Sequence, residues 1–203
     1  CFFSGKGYSG KEIVETAERL GFQCLELEYR LSKKTFFEIK KHLPSTNLHI
    51  ASLHNYCYKP DFIKTKEADA DFYRLSAIDM TEWYNAITYT KKTIENANDI
   101  GAKFVVLHLG DTGQKKLREK FRQITEDNSL KKRTTKQFLK EYLKERKLFS
   151  KNGIDQIKKA LDGLFKICDK YNITLCLENR YYLYQYPNFK ETKDLLATFK
   201  GAN

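Results

Sequence analysis

Three apolar runs in this chain each end on a side chain able to bind metal, and that repetition restricts the fold more than any other feature. Lys103–Gly110 reads KFVVLHLG, Leu48–Asn55 reads LHIASLHN and Ile173–Asn179 reads ITLCLEN. Short runs rich in Val, Leu and Ile, bounded by glycine or by polar turns, are strands covered on both faces, as in parallel sheets. Each stops on chemistry: His54, His108 and Glu178. Parallel α/β folds carry their functional face at the carboxyl ends of the strands. The chain is therefore expected to be a scaffold that brings these three side chains together.

The intervening segments have helical character. A helix is expected from about Lys11 to Leu20, capped by Ser9 or Gly10. A second covers Lys34–Leu43 and stops before Pro44. A third covers Thr81–Ile100, with Thr81 as N-cap and Gly101 as stop. A fourth covers Ile154–Tyr171, and a last runs from about Phe189 to Phe199. Cys1–Ser4 is expected to be the tail of a first strand. Strand and helix alternate throughout, which calls for a parallel sheet with crossover connections. The long connection Tyr56–Met80, rich in aromatic residues, is expected to be a packed lid. Gly5–Lys11 nearly spells a phosphate-binding loop, but Glu12 stands where that motif needs a hydroxyl, so a plain strand-to-helix turn is the better reading.

Gln23–Arg30, QCLELEYR, alternates strictly. Leu25, Leu27 and Tyr29 share one face; Glu26, Glu28 and Arg30 share the other. The charged face points either into a barrel mouth or, in an edge strand, to solvent. On the three later strands the same parity groups His54 with Ser52 and Ile50, His108 with Val106 and Phe104, and Glu178 with Cys176 and Thr174. The opposite faces are greasier and should turn to the helices. All three polar side chains then point inward at one end. Two imidazoles and a carboxylate suit a divalent ion such as zinc, manganese or magnesium, with positions left open for substrate. The expected metal ligands are His54, His108 and Glu178; the expected substrate-binding residues, adjacent to them, are Asn55, Tyr56 and Arg180. Glu178, with Glu26 or Glu28 from the second strand, is the candidate for acid–base work.

The 203 residues carry a net charge of +11 and 41% hydrophobic residues. Nine of the eleven net charges fall between Gln114 and Lys151, where 14 Lys and Arg face 5 Asp and Glu. That stretch is expected to be a basic helical insertion, residues 114–151, after the fourth strand, with an apolar stripe at Phe138, Leu139, Tyr142 and Leu143. No run of about 18 apolar residues is present, so no membrane-spanning helix is expected. The five scattered cysteines lack a C-x-x-C pair and fit reduced thiols in a cytoplasm.

The motifs SLHNYCY (Ser52–Tyr58), VVLHLG (Val105–Gly110) and LENR (Leu177–Arg180), with NANDIGAK (Asn96–Lys103) at a helix end, resemble the xylose isomerase-like TIM barrels. That superfamily holds sugar isomerases and epimerases together with endonuclease IV-type apurinic-site nucleases. The resemblance implies a (β/α)₈ barrel with metal at the carboxyl face. It matches Glu178 to a metal-binding glutamate of both branches, and His54 and His108 to histidines that bind metal in the nuclease branch. The chain opens without a Met and stops at Phe199–Asn203, where the sixth strand of such a barrel would begin, while a full barrel takes about 250 residues. It is thus expected to be a single partial barrel domain over residues 1–203, covering about the first five β/α units. Either it is an excerpt of a longer protein or two halves associate. Three functions follow. One is a metal-dependent isomerase or epimerase on a sugar-like substrate, which the commoner chemistry of the superfamily favours. The second is an apurinic-site nuclease whose DNA partner would meet the basic segment. The third is a non-catalytic relative that binds a ligand or partner, with the basic stripe as a homo-oligomerisation element.

Overall fold

The computed structural model describes residues 6–126 and 132–200. The expected first strand, Cys1–Ser4, lies outside them. In chain order the elements are α1 (Gly10–Arg19), β1 (Cys24–Leu27), α2 (Lys33–His42), β2 (His49–His54), α3 (Met80–Ile100), β3 (Phe104–Leu107), α4 (Lys115–Glu126), α5 (Lys132–Tyr171), β4 (Thr174–Leu177) and α6 (Phe189–Thr198). The four strands form one sheet in the order β1-β2-β3-β4, and every neighbouring pair is parallel. A parallel pair cannot close through a tight turn, so helices connect the strands and cover one face. Leu53, Val105 and Leu107 on that face are fully buried. They join Ile94, Ala97, Ile157, Leu161 and Leu164 from α3 and α5 in one core.

Helix starts follow local capping chemistry. Ser9 caps α1: its Oγ accepts from the Glu12 N–H while the Glu12 carboxylate accepts from the Ser9 N–H at 2.8 Å. Glu12 therefore completes a capping box at the position where a phosphate-binding loop fails. Ser32 caps α2 by accepting from the Thr35 N–H. Helix α3 begins earlier than expected: Asp79, rather than Thr81, is the N-cap, its Oδ1 accepting from the Glu82 N–H at 2.8 Å.

Two expectations about faces are corrected. Leu25 pairs with Ile50 and Glu26 pairs with Ser52, so the register slips by one residue at this point. Ile50, expected to point inward with Ser52 and His54, instead joins the buried core. A one-residue slip reverses facing because side chains alternate with period two. β1 also ends at Leu27, and Leu31 N–H closes a turn onto the Glu28 carbonyl. The alternation predicted up to Arg30 therefore stops before Glu28 and Tyr29.

The segment expected as a fourth helix is the end of α5, which runs for 40 residues from Lys132. Gly153 sits within it where a Cβ would come 2.8 Å from the ring of Tyr186, so the glycine admits that ring against the helix. Arg146 of α5 holds the segment after β4: it donates to both carboxylate oxygens of Glu191, at 2.6 and 2.9 Å, and to the Gln185 carbonyl. The apolar stripe read as an oligomerisation surface is spent largely within the chain. Tyr142 is 1% exposed and stacks beside Phe138, leaving Leu143 to solvent. Among the described residues no helix is long and apolar enough to cross a membrane.

Candidate metal centre

His54 ends β2, while His108 and Glu178 directly follow β3 and β4. Leu107 pairs with Leu177, which puts His108 and Glu178 at one level; His54 pairs with Val106, a pleat deeper. The strands are staggered, as barrel strands are, so the three residues do not share one depth. Their side chains still converge. Nε2 of His54 and Nε2 of His108 each lie 3.2 Å from the same oxygen, Oε2 of Glu178. The imidazole centroids are 4.7 Å apart and mutually perpendicular. The three donor atoms lie within 4.8 Å of one another.

The tautomers can be argued from their partners. Nδ1 of His54 faces the carbonyl oxygen of Asn55 at 3.0 Å, and a carbonyl only accepts. Nδ1 therefore carries the proton and Nε2 presents a lone pair to the centre. Nδ1 of His108 lies 3.4 Å from Oδ1 of Asp71, while its Nε2 accepts from Nη1 of Arg180 at 2.7 Å. His54 thus has an acceptor behind it, the arrangement that orients histidine metal ligands, and the Asp71 carboxylate stands behind His108 at ion-pair distance without a hydrogen bond between Oδ1 and Nδ1. Two lone pairs and a carboxylate oxygen meeting at 3.2 Å repel one another unless a cation stands among them. Two imidazoles with a carboxylate form a donor set suited to zinc or a similar divalent ion, and the residues present fit one.

The side chains of Glu28, Glu26, Asn55 and Tyr56 do not join the cluster. Glu28 is 1% exposed and takes two hydrogen bonds from Nε of Arg30, at 2.8 and 3.0 Å. Glu26 faces the sheet interior and accepts from the Ser52 hydroxyl at 2.6 Å. Asn55 is buried and donates to the Thr90 hydroxyl; Tyr56 is buried and donates to the Tyr73 carbonyl. Neither lines the cleft over the cluster. Arg180 does.

That cleft, about 940 Å³, is walled by the connections after β2, β3 and β4. Tyr29, expected on the apolar face of β1, lies beyond the strand's end and sets its ring edge-on to His54 at 5.6 Å. The lid residue Asp71 holds Arg180 and Gln185 besides facing His108. Arg74 donates to both oxygens of Glu82 and to Asp111, which also binds Arg118. Gly110, at φ +97°, lets the chain turn sharply after His108, and a Cβ there would meet Arg74 and Ser76 at 2.6 Å. Asp111 was legible as the polar residue after VVLHLG. Asp71 sits in an irregular loop without periodicity, and no local pattern marks it.

A family profile described as xylose isomerase-like TIM barrel matches residues 14–202. The chain belongs to that family. Solved structures agree on the fold. A D-tagatose 3-epimerase-like protein superimposes with a TM-score of 0.58 at 15% identity, over 98% of this chain and 59% of its own. An L-ribulose 3-epimerase gives 0.59 at 14%, over 96% and 54%. An IolI protein with a bound zinc atom gives 0.58 at 14%, over 97% and 56%. The xylose isomerase-like chain thus spans just over half the length of these structures and forms a partial barrel. No curated protein sequence matches it.

Proposed function

We propose that this chain supplies the metal and substrate centre of a divalent-metal-dependent isomerase or epimerase acting on a sugar-like substrate. The observation that carries the reading is the convergence of His54, His108 and Glu178 at the carboxyl face of a parallel sheet. Solved structures of similar fold are described as sugar epimerases, and one holds zinc. A divalent ion bound here, zinc, manganese or magnesium, would polarise a carbonyl and the neighbouring hydroxyl.

The remaining work falls to this chain's own side chains. Glu178 holds the ion and is positioned to accept a proton. Asp71, Gln185 and Arg180 offer donors and acceptors to substrate hydroxyls across the cleft, and Tyr29 walls it beside His54. Glu26 is a reserve carboxylate on the interior face, and Glu28 is tied to Arg30. Unpaired thiols at Cys24, Cys57, Cys168 and Cys176 support a reducing, cytoplasmic setting. The nuclease alternative needs more ligands than the one cluster that converges among the described residues.

The test is elemental analysis of the purified protein with His108→Ala and Glu178→Ala, followed by NMR of ketoses incubated in deuterated water. Near-stoichiometric metal lost in both folded variants, with metal-dependent deuterium uptake into a ketose, is the expected result. An unchanged metal content in both variants would sink the site. Chelator-sensitive cleavage of abasic-site DNA without sugar exchange would replace the isomerase by the nuclease.

A further inference from the structure

The Nε2 lone pair of His108 has two claimants. As a metal ligand it must point at the ion, yet here it accepts a hydrogen bond from Nη1 of Arg180 at 2.7 Å. A neutral imidazole has one lone pair, so the two uses exclude each other. Resting on the metal reading above, we infer that Arg180 is a resident cation of this site, competing with the metal ion for His108 and displaced when the ion binds.

Arg180 is not a loose surface arginine. It follows Glu178 by two residues, and its side chain is 10% exposed. Nη1 also reaches Oε1 of Glu178 at 3.5 Å, and Nη2 donates to Oδ2 of Asp71 at 3.2 Å. The guanidinium lies 5.2 Å from the ring of Tyr181. Two carboxylates drawn into a half-buried cleft need compensating positive charge. A guanidinium, charged at every physiological pH, supplies it without the metal. Once a divalent ion sits among the same groups, that charge becomes redundant and repulsive. The bond to Asp71 gives the displaced guanidinium a pivot: turning about it takes Nη1 off His108 and toward the cleft, as a donor to substrate oxygen. Loading the metal and presenting this donor are one movement.

The experiment is titration with zinc alone, by calorimetry, and with cobalt alone, by visible absorption. It compares the parent chain with Arg180→Gln, Arg180→Lys and His108→Ala, each checked by circular dichroism. Arg180→Gln should bind roughly tenfold tighter or more, the scale of a hydrogen bond from a charged donor. Arg180→Lys keeps the charge but cannot fork between Asp71 and His108, so it too should bind tighter than the parent. Parental affinity in Arg180→Lys alone would mean that charge repulsion suffices, and would overturn the competition for His108. Equal or weaker binding in Arg180→Gln would overturn it as well, while leaving the metal site standing. Binding to none of the chains, or binding untouched by His108→Ala, would remove the metal site itself and this inference with it.

Discussion

Oδ1 of Asp71 lies 3.4 Å from Nδ1 of His108, so the lid between β2 and α3 reaches the metal-capable cluster directly. Burial alone would raise the Asp71 carboxyl, but His108 and Arg180 hold it below the ordinary range. A depressed carboxylate contributes stability that is fully present above its unfolded pKa of about 3.9 and is lost as pH falls through the lower folded value.

Asp71→Asn should keep the fold and lower zinc affinity about 10- to 100-fold, the usual effect of losing a residue that orients a histidine ligand. Competition against a chromophoric chelator at neutral pH reads this out. Parental affinity would show that Asp71 does not orient His108.

Arg74 fastens the same lid. Its Nε and Nη2 each donate to a Glu82 oxygen at 2.7 Å, and Nη1 donates to Asp111 at 3.0 Å. Arg74→Met strands the half-buried Glu82 and should cost about 2–3 kcal/mol in urea unfolding, with faster amide exchange across the lid. Arg74→Lys should recover only part of this, since an ammonium cannot match the two-oxygen fork. A loss under about 0.5 kcal/mol in Arg74→Met would show that the lid is held by its aromatic packing instead.

Alkaline pH should test the packing of α5. Burial pushes the Tyr142 phenol up to about 12. The folded state therefore favours the neutral form, and its contribution is fully present below the unfolded value of about 10 and lost as pH rises toward 12. Between pH 9 and pH 11 the parent should lose more stability than Tyr142→Phe, measured by urea midpoints. Equal losses in the two would exclude Tyr142 as a source.

The metal-capable cluster was legible because its determinants are local. His54, His108 and Glu178 each close an apolar run, and where three such runs are parallel neighbours, their ends must meet. The resemblance carried by SLHNYCY, VVLHLG and LENR pointed to the same family that the profile over residues 14–202 shows. Parity was reliable on β3 and β4 and failed around β1. There a register slip sent Ile50 into the core, and the strand ended before Glu28 and Tyr29. Helices α4 and α5 carry the described parts of the basic stretch, but nothing in its charge showed that α5 runs from Lys132 into Ile154–Tyr171.

What the sequence by itself determined is the order of strands and helices, the Ser9 cap of α1, and which side chains stand at the carboxyl ends of the strands. Those follow from periodicity and hydrogen-bonding rules that act over a few residues. Only the tertiary structure decided that Tyr29 rather than Glu28 faces His54, that Asp71 stands behind His108, and that Arg180 takes the lone pair a metal would need. Those pairings join residues up to 72 positions apart through loops. Their geometry is set by how the core closes, and no short stretch of sequence records it.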